Sequence, residues 1–261
     1  MDPDVASFAS VVPLVELFAR RVGGVLGADL VGVYLTGSSV TDQFRPSTSD
    51  VDAFVVSAGP LSDGVCADLD RMHAEILRDH PWGARLDVEY TPRSGLRPDG
   101  VDGAVSWSLD GGLVRGSARV ASDDIMGVRA HGRAIVGPPA SAVFPAVDAE
   151  LFRRQSIEYL RDLLSRQRTR PGARPDFVAG WIANVARCLY RVATGELGSK
   201  PVALAWLSDR DPVLEDILEL VDPAVRGDPV AGQACVEAFP TVARRASALL
   251  PALVRAGMLD P

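Results

Sequence analysis

The stretch Leu35-Thr36-Gly37-Ser38-Ser39, followed after a short polar loop by Ser49-Asp50-Val51-Asp52-Ala53-Phe54-Val55-Val56, decides how this chain is read. A turn of small residues hands over to a strand that opens with two carboxylates. Side chains alternate faces along a strand, so Asp50 and Asp52 share one face while Val51 points to the core. Same-face acids repel one another unless a cation lies between them, and hard oxygen ligands suit Mg²⁺. The Gly37-Ser38 turn adds backbone N–H groups and a hydroxyl, the donors that a polyphosphate requires. The pattern points to a metal-nucleotide site.

A lone Asp-x-Asp is more often a solvated strand end, but its setting here is specific. The pair begins the buried run Val51 to Val56 and follows a second strand-like run, Leu30 to Leu35, that ends in the glycine-serine turn. Downstream, Ala84-Arg85-Leu86-Asp87-Val88-Glu89-Tyr90-Thr91 alternates as a half-buried strand, with Asp87 and Glu89 on one face and Leu86, Val88 and Tyr90 on the other. Either acid could join the pair. Glu89 could equally be a solvated strand position or a partner of Arg85 or Arg93.

The stretch from Leu35 to Val56 resembles the signature of the polymerase-beta-like nucleotidyltransferase superfamily, in which Gly-Ser is followed by Asp-x-Asp. The resemblance implies that Gly37 and Ser38 contact a nucleoside triphosphate and that Asp50 and Asp52 hold Mg²⁺. It also implies a third carboxylate from a neighbouring strand. By similarity to the aminoglycoside nucleotidyltransferases that acid is Asp87, at a position where the family usually has Glu.

Pattern along the rest of the chain predicts two domains, a size that 261 residues suits. The first, 1–145, is expected to be an α/β domain with a mixed sheet. An amphipathic helix from Val5 to Val22 is stopped by Gly23-Gly24, and strands follow at Leu30 to Leu35 and Val51 to Val56. Next come a helix from Leu61 to Arg78 and a strand from Arg85 to Thr91. Pro92 to Gly112 has the composition of a loop, in which Trp107 either lines a substrate site or packs the loop onto the sheet. Leu113 to Val120 reads as an edge strand, Asp123 to His131 as a short helix, and Ala134 to Pro139 as a last strand and turn.

The second domain, 146–261, is expected to be an all-α bundle: Leu151 to Arg166, Asp176 to Ala193, a short helix opened by Ser199, Val213 to Leu220, and a long helix from Val230 to Ala256. Within it, Asn184-Val185-Ala186-Arg187, Ala193-Thr194-Gly195, Ser199-Lys200 and Ala205-Trp206 resemble in order the C-terminal helical domain of the streptomycin and spectinomycin 3''-adenylyltransferases. The resemblance spans most of residues 28–207. It implies that Arg187 and Lys200 contact the nucleotide phosphates. Composition adds a separate clue, because Lys200 is the only lysine of the chain. Where arginine serves as the general surface cation, the single lysine marks a place for a compact ammonium, and a phosphate contact is its natural use.

Net charge is -7, which argues against sequence-independent nucleic-acid binding and suits a cationic small molecule. No apolar run reaches a membrane span, and Met1-Asp2-Pro3-Asp4 lacks the basic region of a signal peptide, so a cytoplasmic monomer is expected. Cys66, Cys188 and Cys235 are scattered and read as buried free thiols.

The combined reading is a nucleotidyltransferase with two Mg²⁺ ions and ATP as donor, acting on a hydroxyl of an aminoglycoside or aminocyclitol and thereby conferring resistance. Asp50 and Asp52 would hold the metals, Asp87 would share one and act as base, and Gly37, Ser38, Ser49, Arg187 and Lys200 would hold the triphosphate. Glu89, Trp107, Asp176, Trp181 and Glu196 are the candidate substrate contacts. Two alternatives stand beside it: a nucleotidyltransferase that modifies a protein partner, as antitoxins of similar fold do, and an inactive nucleotide-binding module. An acceptor cleft lined by acids favours the antibiotic, a flat apolar patch the protein partner.

Overall fold

The computed structural model describes residues 10–40, 44, 49–97, 105–108, 112–115, 120–166 and 173–257. The chain divides into two compact units, Met1–Val147 and Asp148–Pro261.

The first unit is built on β1 (Leu30–Leu35), β2 (Val51–Ser57), β3 (Leu86–Pro92), β4 (Val105–Ser108), β5 (Gly112–Arg115) and β6 (Arg133–Val136), in the spatial order β5-β4-β3-β2-β1-β6. The sheet is mixed: β2 and β3 run parallel, and the other neighbours are antiparallel. Parallel neighbours need a crossover, which α2 (Asp63–Asp79) supplies. Ser62 caps α2 by accepting the Val65 N–H, and Cys66, Leu69, Met72, His73 and Ile76 form its buried stripe.

Alternation along the strands feeds two cores. Val51, Ala53, Val55, Leu86, Val88 and Tyr90 pack with α2 and with Leu14, Val15, Phe18 and Val22 of α1 (Val12–Leu26). On the opposite face Tyr34, Phe54 and Val56 meet Ile125 and Val128 of α3 (Ser122–His131), Val143 of α4 (Ala140–Val143), and Phe144. Asp52 shares the face of Phe54 and Val56, so the candidate acids lie at the end of this second core.

Helix α1 does not stop at Gly23-Gly24 as its sequence suggests. It continues to Leu26 and ends at Gly27, whose φ of 54° lies in the left-handed region. Each interior glycine costs about 1 kcal/mol against alanine, and burial of Val22 and Leu26 offsets that cost. Residues 5–9 of the expected helix lie outside the described residues.

Pro92 to Gly112 is not the continuous loop that its composition predicts. A 3₁₀ turn at Arg93–Leu96 and the strand β4 stand where the composition predicts a loop, with Trp107 opposite Val88. The four alternating residues Val105-Ser106-Trp107-Ser108 are too short a signal to stand out between their glycine- and aspartate-rich flanks.

The second unit is all-α: α5 (Ala149–Arg166), α6 (Pro175–Thr194), α7 (Lys200–Arg210), α8 (Glu215–Glu219), α9 (Val221–Val225) and α10 (Pro229–Gly257). α6 buries Val178, Ile182, Val185, Leu189 and Val192 and packs against α5, α7, α9 and α10, so it is the central helix. The single helix expected from Val213 to Leu220 is instead a 3₁₀ turn at Pro212–Leu214 followed by α8, with α9 beyond it. Pro223 lies in the first turn of α9, where its missing N–H leaves no helical bond unmade.

Cys66, Cys188 and Cys235 are buried free thiols. Among the described residues no helix is long and apolar enough to cross a membrane.

Candidate active site

The parallel register of β2 and β3 sets Asp52 directly opposite Asp87 and Phe54 opposite Glu89. Cross-strand partners share a face, so two half-buried carboxylates from segments more than thirty residues apart become neighbours. Asp50, also half-buried, immediately precedes β2. Burial, then the charge of Asp50, pushes the Asp87 carboxyl up to about 6, against a smaller lowering by the Val88 N–H. Glu89 is pushed up to about 7 by burial, then by Asp87 and Asp123. Asp123 lies in the first turn of α3, and nothing local in the sequence ties it to Glu89.

Among the described residues no three His, Cys, Asp or Glu side chains form a ready-made metal cage. The donor chemistry fits a hard divalent cation nonetheless. Asp50, Asp52 and Asp87 offer only carboxylate oxygens, and Asp50 and Asp87 already feel each other's charge.

The glycine-serine turn is braced against this pair. The Thr36 N–H donates to the Asp52 carbonyl at 3.0 Å, and a 3₁₀ turn follows at Gly37–Val40. Gly37 has φ of 62°, and a Cβ there would collide with Asp52 Oδ2. Only glycine lets the backbone rest on that carboxylate. Ser38 is half-buried in the same turn, and the Ser39 hydroxyl donates to the Thr36 carbonyl at 2.9 Å. Gly37→Ala is therefore expected to destabilise the fold by about 1 to 3 kcal/mol through left-handed strain and the clash. Denaturant unfolding checks this, and an unchanged midpoint would contradict the contact.

Ser49 is held from the 3₁₀ turn at Gly83–Arg85 that leads into β3. Its carbonyl accepts from Arg85 Nη1 at 3.3 Å, and the Arg85 guanidinium lies 5.5 Å from the centroid of the Trp82 ring. Sequence reading missed Arg85 as the residue that ties down the entry to Asp50. Its signal was its place one residue before β3, which means something only once the parallel register is known.

In the second unit Arg187 is half-buried on α6, and Lys200 is the exposed first residue of α7. Ser199 caps that helix by accepting the Val202 N–H. Asp176 is engaged by Arg174, whose guanidinium hydrogen bond holds the carboxyl below its usual range. Trp181 packs edge-on against Phe239 at 6.3 Å, on the rim of the helical core. Glu196 accepts the Tyr190 hydroxyl at 2.9 Å. Trp107 pairs through its backbone in the β3–β4 ladder, and its side chain lies outside the described residues.

Raised carboxyls have a consequence for stability. Glu89 binds a proton more readily folded than unfolded between its ordinary value of about 4.5 and about 7, so its contribution falls as pH rises through that window. His73, buried and lowered to about 3, acts in the opposite sense below its ordinary 6.5. Comparison with a variant isolates Glu89. Glu89→Gln is expected to match the metal-free parent at pH 4 and to exceed it by roughly 2 to 3 kcal/mol at pH 8. Urea unfolding of both proteins across this range checks it, and a gain independent of pH would contradict the assignment.

No family model and no curated protein matches the sequence. Among solved structures the chain is similar to a spectinomycin adenyltransferase from Enterococcus faecialis, solved with ATP and spectinomycin, with a TM-score of 0.67 at 16% identity. The match covers 90% of this chain and 98% of that one. The likeness is one of fold: an α/β domain with a mixed sheet followed by an all-α helical domain, the architecture that the motif resemblance implies.

Proposed function

We propose that the chain is a Mg²⁺-dependent nucleotidyltransferase that moves an adenylyl group from ATP to a hydroxyl of an aminoglycoside or aminocyclitol, conferring resistance to it. The observation that carries this reading is the β2–β3 register, which sets Asp52 beside Asp87, whose carboxyl also feels the charge of Asp50. The ATP and spectinomycin of the solved protein with a similar fold suggest the donor and the acceptor class. The reading takes the protein as a cytoplasmic monomer.

Asp50 and Asp52 would hold two Mg²⁺ ions, with Asp87 sharing one of them. When bound, such ions supply charge neutralisation at the triphosphate and a lowered pKa at the attacking hydroxyl. The chain's own groups do the rest. Ser38, Ser49 and the Gly37 turn grip the triphosphate, and Arg187 and Lys200 neutralise its charge. Asp87 takes the proton of the acceptor hydroxyl as its oxygen bonds to the α-phosphorus and the bond to the bridging oxygen breaks, releasing pyrophosphate. Positioning and electrostatics then account for most of the rate. Glu89, Trp107, Asp176, Trp181 and Glu196 remain the candidate acceptor contacts.

Incubating the full chain with ATP, Mg²⁺ and a panel of aminoglycosides and aminocyclitols tests the reading by mass spectrometry. A gain of one adenylyl group on at least one antibiotic is expected. Unmodified antibiotics throughout would overturn the assigned acceptor class.

A further inference from the structure

α6 buries apolar residues along its length, with one charged exception. Arg191 is 3% exposed and is the only charged residue among those that α6 buries. A buried guanidinium costs several kcal/mol unless its donors are used, and a leucine or methionine would fill the same space without that cost. The structure shows where one donor goes. Arg191 Nε donates to the Leu197 carbonyl at 3.3 Å, and the guanidinium lies 5.8 Å from the centroid of the Phe152 ring on α5.

Leu197 belongs to the reversal between α6 and α7. That reversal has a left-handed glycine on either side, Gly195 at φ 74° and Gly198 at φ 59°. Gly198 lies against the Tyr190 ring so closely that a Cβ would stand 2.6 Å from Tyr190 Cδ1. Ser199 then caps α7, and Lys200 is the first residue of that helix, three positions beyond Leu197. Arg191 thus fixes the middle of the segment that sets where Lys200 begins its helix.

We propose that Arg191 is a positioning residue for nucleotide binding, acting through the Leu197 carbonyl to place the Lys200 ammonium. The inference rests on the reading of Lys200 as a phosphate contact. A merely structural role lowers the melting temperature and leaves the ATP affinity of the folded fraction alone. A positioning role lowers that affinity and does so only while Lys200 is present.

Calorimetric titration of Mg²⁺-ATP into four full-length proteins separates these cases: the parent, Lys200→Ala, Arg191→Met and the double variant. Lys200→Ala is expected to weaken binding about tenfold or more, as loss of a charge-assisted hydrogen bond does. Arg191→Met is expected to weaken it about fivefold, and the double variant to stay within about twofold of Lys200→Ala, because the two losses share one contact. Should Arg191→Met not fold, Arg191→Lys keeps the buried charge while losing the Nε donor, and the same comparison applies. Unchanged affinity in the folded Arg191 variant, or losses that multiply in the double variant, would overturn the inference. Unchanged affinity in Lys200→Ala would overturn the phosphate reading and this inference with it. A loss in Lys200→Ala beside a normal Arg191 variant leaves the phosphate reading standing and removes Arg191 alone.

Discussion

Asp52→Asn is expected to abolish adenylyl transfer while leaving the fold intact or slightly more stable. Asp52 lies opposite Asp87 in the parallel ladder, and its carboxylate is the surface on which the Gly37 turn rests. The amide keeps the shape of that contact and removes one charge from a crowded set, which relieves repulsion in the metal-free protein. It also removes an anionic oxygen that a hard divalent cation requires. Turnover should therefore fall below detection while the melting temperature of the metal-free protein stays level or rises. Near-parental turnover with a folded variant would remove Asp52 from the site.

The second large effect separates the two acids of β3. Asp87→Asn is expected to lose on the order of a hundredfold or more in turnover, as removal of a general base typically does. Glu89→Gln should lose no more than a few-fold. The structure supplies the reason for the difference: Asp87 stands opposite Asp52 and within the field of Asp50, whereas Glu89 stands opposite Phe54 and feels Asp87 and Asp123. Turnover measured for both variants at saturating ATP decides between them. Equal losses, or the reverse order, would transfer the base from Asp87 to Glu89.

Much of the first unit was legible because its signals are local. Leu30 to Leu35 is a strand with the bounds its sequence suggests, and the alternation of Leu86, Val88 and Tyr90 marks the buried face of β3. The end of α1 was not legible, since Gly23-Gly24 reads as a stop until the burial of Leu26 is known. β4 was hidden for a related reason: four residues acquire their strand identity from pairing with β3. The 3₁₀ turn at Pro212–Leu214 was hidden because Val213, Leu214, Ile217 and Leu218 have the spacing of one continuous helix.

Legibility of the candidate site divides in the same way. Strand alternation puts Asp87 and Glu89 on one face of β3, whereas Asp50, expected to share a face with Asp52, lies one residue before β2. What no pattern could supply is the register between β2 and β3, which decides that Asp87 and not Glu89 neighbours Asp52. Arg85 and Asp123 are invisible to sequence reading for that reason. Each matters through a partner that only the folded chain brings near.

If the acids at the start of β2 and β3 form a metal-nucleotide site, ATP binding depends on Mg²⁺ and on Asp52. Calorimetric titration of ATP into the full chain, with Mg²⁺ and with a chelator in its place, tests it most directly when repeated on Asp52→Asn. ATP binding by the parent is expected to depend on Mg²⁺ and to be lost in the folded Asp52→Asn variant. ATP affinity that is the same with and without Mg²⁺, or unchanged in Asp52→Asn, would contradict it.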